Sequence, residues 1–130
     1  MSDTPTGTYE LEIRAEFCAA HAIVIRGRRE PVHGHNWKVT ATVAGDRLDD
    51  DGLLCDFHEI ERALGAIIAP FHNGNLNGAP PFDQTNPTAE LVARHIGEHL
   101  AKACPEGVTV KCVRVTEAPN CAAVWRSASP

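Results

Sequence analysis

The sequence is short of aromatic residues, with four Phe, two Trp and one Tyr in 130 residues. It also carries fewer basic than acidic side chains, twelve against seventeen, for a formal charge of −5. Nucleic-acid binding needs a basic surface and commonly stacking platforms, so both shortages argue against it. No apolar run approaches the roughly 20 residues that span a bilayer. Residues 1–8 have no basic stretch leading into an apolar one; no secretory signal is read there, and they are expected to be a flexible lead. The five cysteines, Cys18, Cys55, Cys104, Cys112 and Cys121, contain no C-x-x-C pair, which excludes a zinc ribbon and a dithiol redox motif. Odd in number and set among small or apolar neighbours, they read as buried, reduced thiols of a cytoplasmic protein. What remains is ordinary globular composition, 43% apolar and 22% charged, in a length that suits one domain over 1–130.

From Tyr9 to His21 the odd positions are mostly apolar and end on His21, whereas the even ones include Glu10, Glu12, Arg14 and Glu16. This period of two predicts a long strand with one buried and one charged face. His33, His35, Trp37, Val39, Ala41 and Val43 share one parity and predict a second strand, paired with the first as an antiparallel hairpin around a loop at residues 26–32. Asp56, with Glu59 three residues on, predicts a helix start, and Phe57, Ile60, Leu64, Ile67 and Ile68 keep helical spacing up to Pro70. A Gly/Asn/Pro-rich loop over 71–84 is long enough to suggest function. Asn86-Pro87 predicts a second N-cap with proline at the first helical position, and Leu91, Val92, Ile96 and Leu100 give that helix its apolar face. Strands at 108–117 and 121–126 close the chain. The order β-β-α-α-β-β predicts an α+β fold, an antiparallel sheet of four strands with two helices on one face, whose open edges favour self-association.

Chemistry concentrates in His33-Gly34-His35 together with His21. Residues two apart on a strand share a face and lie about 7 Å apart, so both imidazoles can reach one ion. His21 ends the partner strand on the parity of its apolar face. Three nitrogens with an open fourth position is the pattern of a catalytic rather than a structural zinc site, and Gly34 takes a side chain away from between the ligands. His58, His95 and His99 read as helix-surface residues. The last two are four apart, but lack the glutamate and third ligand of an H-E-x-x-H site.

Four motifs then occur in order: Phe17-Cys18-Ala19-Ala20-His21, His33-Gly34-His35-Asn36-Trp37, Asn86-Pro87-Thr88-Ala89-Glu90 and Val113-Arg114-Val115-Thr116-Glu117-Ala118-Pro119. Together they resemble the 6-pyruvoyl tetrahydropterin synthase family, which includes the 6-carboxytetrahydropterin synthases of queuosine biosynthesis, over about Tyr9 to Trp125. The resemblance implies a tunnelling fold (T-fold), in which the sheets of neighbouring subunits join into a trimeric barrel, usually doubled to a hexamer. It implies that His21, His33 and His35 bind zinc, and that Glu117 and Thr88 contact a pterin substrate. A carboxylate such as Glu117 can accept two parallel hydrogen bonds from an aminopyrimidine edge.

Two departures shift the expected chemistry. The family's cysteine, four residues before the first histidine of H-G-H, is Arg29 here, and Cys18 has the wrong strand parity to replace it. The family's Asp-His pair falls on His72-Asn73, which leaves His72 to serve a rearranged relay. Glu30-Pro31-Val32-His33-Gly34-His35 instead resembles the subgroup with glutamate in place of the cysteine. There, dihydroneopterin triphosphate is cleaved to 6-hydroxymethyl-7,8-dihydropterin, a folate precursor. Glu30 is the expected general base, with zinc acidifying the side-chain hydroxyls. Glu30 also reads as one charge of a solvated loop, and Arg26, Arg28 and Arg29 read equally as triphosphate contacts or as loop surface. The expected function is a zinc-dependent lyase acting on 7,8-dihydroneopterin or its triphosphate. The alternatives are a 6-carboxytetrahydropterin or 6-pyruvoyl tetrahydropterin synthase reaction, and a catalytically inactive pterin-binding protein.

Overall fold

The structure, a computed structural model, describes residues 6–128, so residues 1–5 of the expected flexible lead lie outside the described residues. The first alternating run forms β1 (Tyr9–His21) and the second β4 (His33–Gly45). They pair antiparallel in one unbroken register, from Tyr9↔Gly45 to His21↔His33. Ile13, Phe17, Ala19 and His21 are buried, while the intervening Glu10, Glu12, Arg14 and Glu16 are exposed, as the alternation requires. Phe17 stacks on Trp37 across the pair, with ring centroids 5.7 Å apart. The fully buried Trp37 indole N–H donates to the Ala19 carbonyl at 3.1 Å, so a large apolar surface is buried with its one donor satisfied.

Between these strands the expected loop folds into a small ribbon of its own, β2 (Val24–Ile25) against β3 (Arg28–Arg29). Its turn, Arg26-Gly27, has φ of 51° and 80°, the double left-handed geometry that matches strand twist in two-residue hairpins. The long loop also differs from expectation. Asn73 takes φ 59° and donates its N–H to the Cys18 carbonyl at 2.6 Å, which lays β5 (Gly74–Asn75) parallel to β1 at Ala19 and Ala20. With β6 (Thr109–Ala118) and β7 (Cys121–Arg126), the sheet therefore has five strands in the order β5-β1-β4-β6-β7, mixed rather than purely antiparallel.

Helix α1 (Phe57–Ile68) is capped by Asp56, which accepts the His58 N–H at 2.9 Å, and buries Ile60, Leu64 and Ile68. Helix α2 (Ala89–Ala101) starts later than expected. Its cap is Thr88, whose Oγ1 accepts the Leu91 N–H at 3.1 Å, not Asn86. The reason is that the Asn86 amide is engaged elsewhere, accepting the Val24 N–H at 2.8 Å and donating to the Val24 carbonyl at 2.9 Å. Both helices pack on the face of the sheet that carries Phe17, Trp37, Val113 and Val115. Burying each Ile or Leu there contributes about 1.5–3 kcal/mol.

Among the cysteines only Cys55 is buried; Cys18 and Cys121 are exposed, because each occupies an outward or edge position of its strand. All five are unpaired thiols. His95 is not a surface residue either. It is half-buried against Phe71 and Phe82, with centroids 5.6 and 5.5 Å away, and burial, aided by neighbouring His99, lowers its pKa to about 4. No helix among the described residues is long and apolar enough to cross a membrane.

Gly97 makes the α2–β7 contact possible. A Cβ there would lie 2.2 Å from the Trp125 ring. In an exposed helix Gly→Ala stabilises by about 1 kcal/mol. Gly97→Ala is expected to do the reverse, costing about 1–2 kcal/mol net through overpacking. A lower urea midpoint at unchanged m-value would show it; a higher midpoint would mean that Trp125 moves aside freely.

Candidate active site

The register of β1 and β4 sets His21 directly opposite His33, and His35 opposite Ala19 on the same face. The three imidazoles converge, with centroid separations of 4.8 Å (His21–His33), 5.2 Å (His21–His35) and 4.6 Å (His33–His35). Their floor is Trp37, whose ring centroid is 4.9 Å from that of His21.

Backbone carbonyls orient two of the rings. His21 Nδ1 lies 2.8 Å from the Pro87 carbonyl and His33 Nδ1 3.0 Å from that of Pro31. A carbonyl only accepts, so each Nδ1 is the protonated nitrogen and each Nε2 faces the cluster as a lone pair. The pKa of His35 is lowered: burial is the main cause, with His33 and His21 adding to it against the pull of Glu117 and Glu30. The Nε2 atoms of His21 and His35 are buried without a hydrogen-bond partner. Leaving such atoms unsatisfied costs about 1–3 kcal/mol each, which a shared cation removes. One ligand atom from each of His21, His33, His35 and Glu117 lies within 4.8 Å of the others, a nitrogen-rich set that fits a divalent transition metal.

Glu117 reaches this cluster from β6. It continues the inward parity of Val113 and Val115, and is the unpaired residue where the β6–β7 register shifts between Thr116 and Ala118. Bulges commonly re-aim a side chain next to a site in this way. Its Oε1 lies 3.2 Å from His35 Nε2 and 3.6 Å from His21 Nε2. Glu30 approaches at His33, with Oε1 3.6 Å from His33 Nε2. That carboxylate is not a free loop charge: it accepts the Ile23 N–H at 3.2 Å, while the Glu30 N–H donates to the Ile23 carbonyl at 3.0 Å.

The structure does not bring His72 to this cluster within one chain. Its Nδ1 accepts the Cys18 N–H at 3.2 Å, three residues from His21, or about 10 Å along an extended strand. Cys18 points off the metal face as its parity requires, its thiol donating to the Asn36 side-chain carbonyl at 2.9 Å. Gly34 is also on that other face, and a Cβ there would meet nothing within 4 Å, so it clears no space between the ligands. Thr88 spends its hydroxyl oxygen on the α2 cap one residue after Pro87.

Sequence reasoning missed the scaffold around the histidines. Asn77 accepts the Ala22 N–H at 2.8 Å and donates to the Ala22 carbonyl at 2.9 Å, repeating what Asn86 does at Val24. The two amides extend β1 past His21 as side-chain imitations of a neighbouring strand. The Asn-rich character of the 71–86 segment is the one signal that could have pointed to them.

On the face of the β1–β4 pair away from the cluster, Cys18, Gly34, Asn36 and Asn73 line an open cleft of about 410 Å³, with His35 at its border. The site is thus a metal-ready histidine cluster with one carboxylate against His21 and His35 and another against His33.

Comparison with known proteins agrees with this geometry. A dihydroneopterin monophosphate aldolase from Pyrococcus furiosus is 31% identical over 104 residues, covering 80% of this chain and 85% of the relative. A 6-carboxy-5,6,7,8-tetrahydropterin synthase from Bacillus subtilis is 33% identical over 99 residues, covering 72% of this chain and 66% of the relative. Among solved structures, a Plasmodium vivax 6-pyruvoyltetrahydropterin synthase, described as a variant with a catalytic glutamate changed to alanine, superposes with a TM-score of 0.74 at 18% identity, over 93% of this chain and 98% of that one. The family model for 6-pyruvoyl tetrahydropterin synthase matches residues 10–128, and the chain belongs to that family.

Proposed function

We propose that this chain is a zinc-dependent lyase that breaks the C1′–C2′ bond in the side chain of a 7,8-dihydroneopterin, releasing 6-hydroxymethyl-7,8-dihydropterin. The observation that carries this reading is the Glu30 carboxylate, fixed by Ile23 and 3.6 Å from His33 Nε2, where a proton-accepting group would stand beside a metal-bound hydroxyl. The aldolase named among the relatives and the catalytic glutamate of the structural neighbour point the same way.

His21, His33 and His35 would hold the zinc, which when bound acidifies the side-chain hydroxyls. Glu30 takes the proton of the C2′ hydroxyl. As the C2′ oxygen becomes a carbonyl, the C1′–C2′ bond breaks and its electron pair passes into the C6–N5 imine of the dihydropterin. The proton then returns to C1′, so the products are the hydroxymethyl pterin and a two-carbon hydroxyaldehyde. Glu117 accepts two hydrogen bonds from the aminopyrimidine edge of the pterin, and Thr88, whose hydroxyl hydrogen is still available, borders the ring. Among the described residues, the outer edge of β1 over residues 9–17 and that of β7 have no strand beside them; pairing these edges between copies gives the trimeric or hexameric barrel we expect. Five unpaired thiols suit the cytoplasm.

One observation supports a second reading, a 6-carboxytetrahydropterin or 6-pyruvoyl tetrahydropterin synthase reaction. His72 stands at the edge of β1, where a neighbouring copy could carry its imidazole to a second active site. Incubating the zinc-loaded protein with 7,8-dihydroneopterin and with its phosphate esters, and weighing the products, separates the two. The expected product is 6-hydroxymethyl-7,8-dihydropterin. A 6-carboxy or 6-pyruvoyl product would replace the first reading by the second, and binding without turnover would leave a pterin-binding protein.

A further inference from the structure

Helix α2 carries a second group of histidines that the active site does not use. His95 and His99 are about one turn apart, and their ring centroids are 4.1 Å from each other, closer than any pair in the active-site cluster. The His99 Nδ1 lies 2.9 Å from the His95 carbonyl. A carbonyl only accepts, so this Nδ1 carries the proton and the Nε2 is left as a lone pair. His21 and His33 are oriented by carbonyls in the same way. His95 is fixed differently, by packing edge-on against the buried rings of Phe71 and Phe82. Among the described residues its ring nitrogens have no hydrogen-bond partner.

The surroundings give a second, independent indication. His95-Ile96-Gly97-Glu98-His99 reads H-x-x-E-H, which carries the two imidazoles and the carboxylate of H-E-x-x-H in reverse order. Positions 95, 98 and 99 fall within a stripe of about 100° on the helix. All three side chains line one cleft of about 410 Å³, walled by Phe82 and Leu91, which shares no residue with the active-site cluster. Glu98 is held at its edge by Arg94, with Oε1 3.2 Å from Nε.

We propose that His95 and His99 form a second metal site, which binds a divalent transition ion of the zinc class through two imidazole nitrogens. Water from the cleft completes the coordination, and Glu98 accepts a hydrogen bond from that water. Imidazole suits zinc, nickel and copper, and two histidines four apart on a helix can reach one ion. The site offers two protein ligands where the active-site group offers four, so it is weaker by at least about 10⁴-fold and fills second. It does not depend on the cleavage reading.

The test is titration calorimetry of the full chain, stripped with a chelator, using Zn2+ alone as the probe. One tight and one weak equivalent are expected. His99→Ala, and His95→Leu, which keeps an apolar side chain against Phe71 and Phe82, should each weaken the second event at least about tenfold and leave the first unchanged. His99 is exposed, so His99→Ala should also leave the Tm of the metal-free protein unchanged, which separates a lost ligand from lost structure. Mg2+, which prefers oxygen ligands, should give no weak event. A tight event alone, or a weak event that survives either substitution, overturns the proposal. An equal response to Mg2+ does so too, by pointing to exposed carboxylates. A weak event that needs His99, without a tight one, would uphold this site and count against metal at the active-site cluster.

Discussion

Replacing Glu30 by Gln is expected to lower kcat by about 10²–10⁴-fold, the range usual for loss of a general base, and to leave one metal ion bound per chain. Gln keeps the shape of the side chain and an oxygen for the Ile23 N–H, now 3.2 Å from Glu30 Oε1, so the β2–β3 ribbon should keep its place. What disappears is the ability to take a proton. KM should change little, because a group that acts mainly in the transition state contributes little to ground-state binding. The metal count distinguishes base from ligand, because the group that could hold an ion is His21, His33, His35 and Glu117, without Glu30. Turnover within a few-fold of wild type would remove Glu30 from the chemistry and turn attention to His72 from a neighbouring copy. Loss of metal together with turnover would make Glu30 a ligand instead.

The histidine cluster was legible because parity is a strict rule. Residues two apart on β4 must share a face, and His21 lies on the inward parity of β1, so their meeting needed only the hairpin pairing to be right. Glu30 was legible as a residue but not as a fixed one, since its bond to Ile23 depends on a ribbon of two two-residue strands. Asn86 shows how a correct local rule fails. Asn-Pro reads as cap and first turn, yet the amide is bonded to Val24, 62 positions away, and Thr88 caps the helix with the same chemistry two residues later. β5 was invisible for a related reason: a two-residue strand has no period to detect, and its pairing depends on Asn73 adopting a left-handed conformation. Gly34 drew a functional reading by its place between two ligands, although the same parity that joined the histidines puts glycine on the far face.

His21→Ala and His33→Ala should both abolish metal binding, yet differ sharply in the stability of the metal-free protein. His21 is fully buried, rests on Trp37 and hydrogen-bonds the Pro87 carbonyl at 2.8 Å just ahead of α2. Truncating it leaves a cavity and an unpaired carbonyl, at a cost of about 2–4 kcal/mol. The His33 side chain is 38% exposed, and its one carbonyl bond, to Pro31, is replaceable by water, so His33→Ala should lie within about 0.5 kcal/mol of wild type after chelation. Restoring zinc at about 1,000 times its Kd should stabilise wild type by about 4 kcal/mol and neither variant at all. Urea unfolding with and without a chelator measures both quantities. A wild-type midpoint that zinc does not move would mean that the unpaired Nε2 atoms of His21 and His35 serve something other than a metal. If His33→Ala instead kept its zinc response, Glu117 would be supplying the third ligand and could not at the same time anchor the pterin.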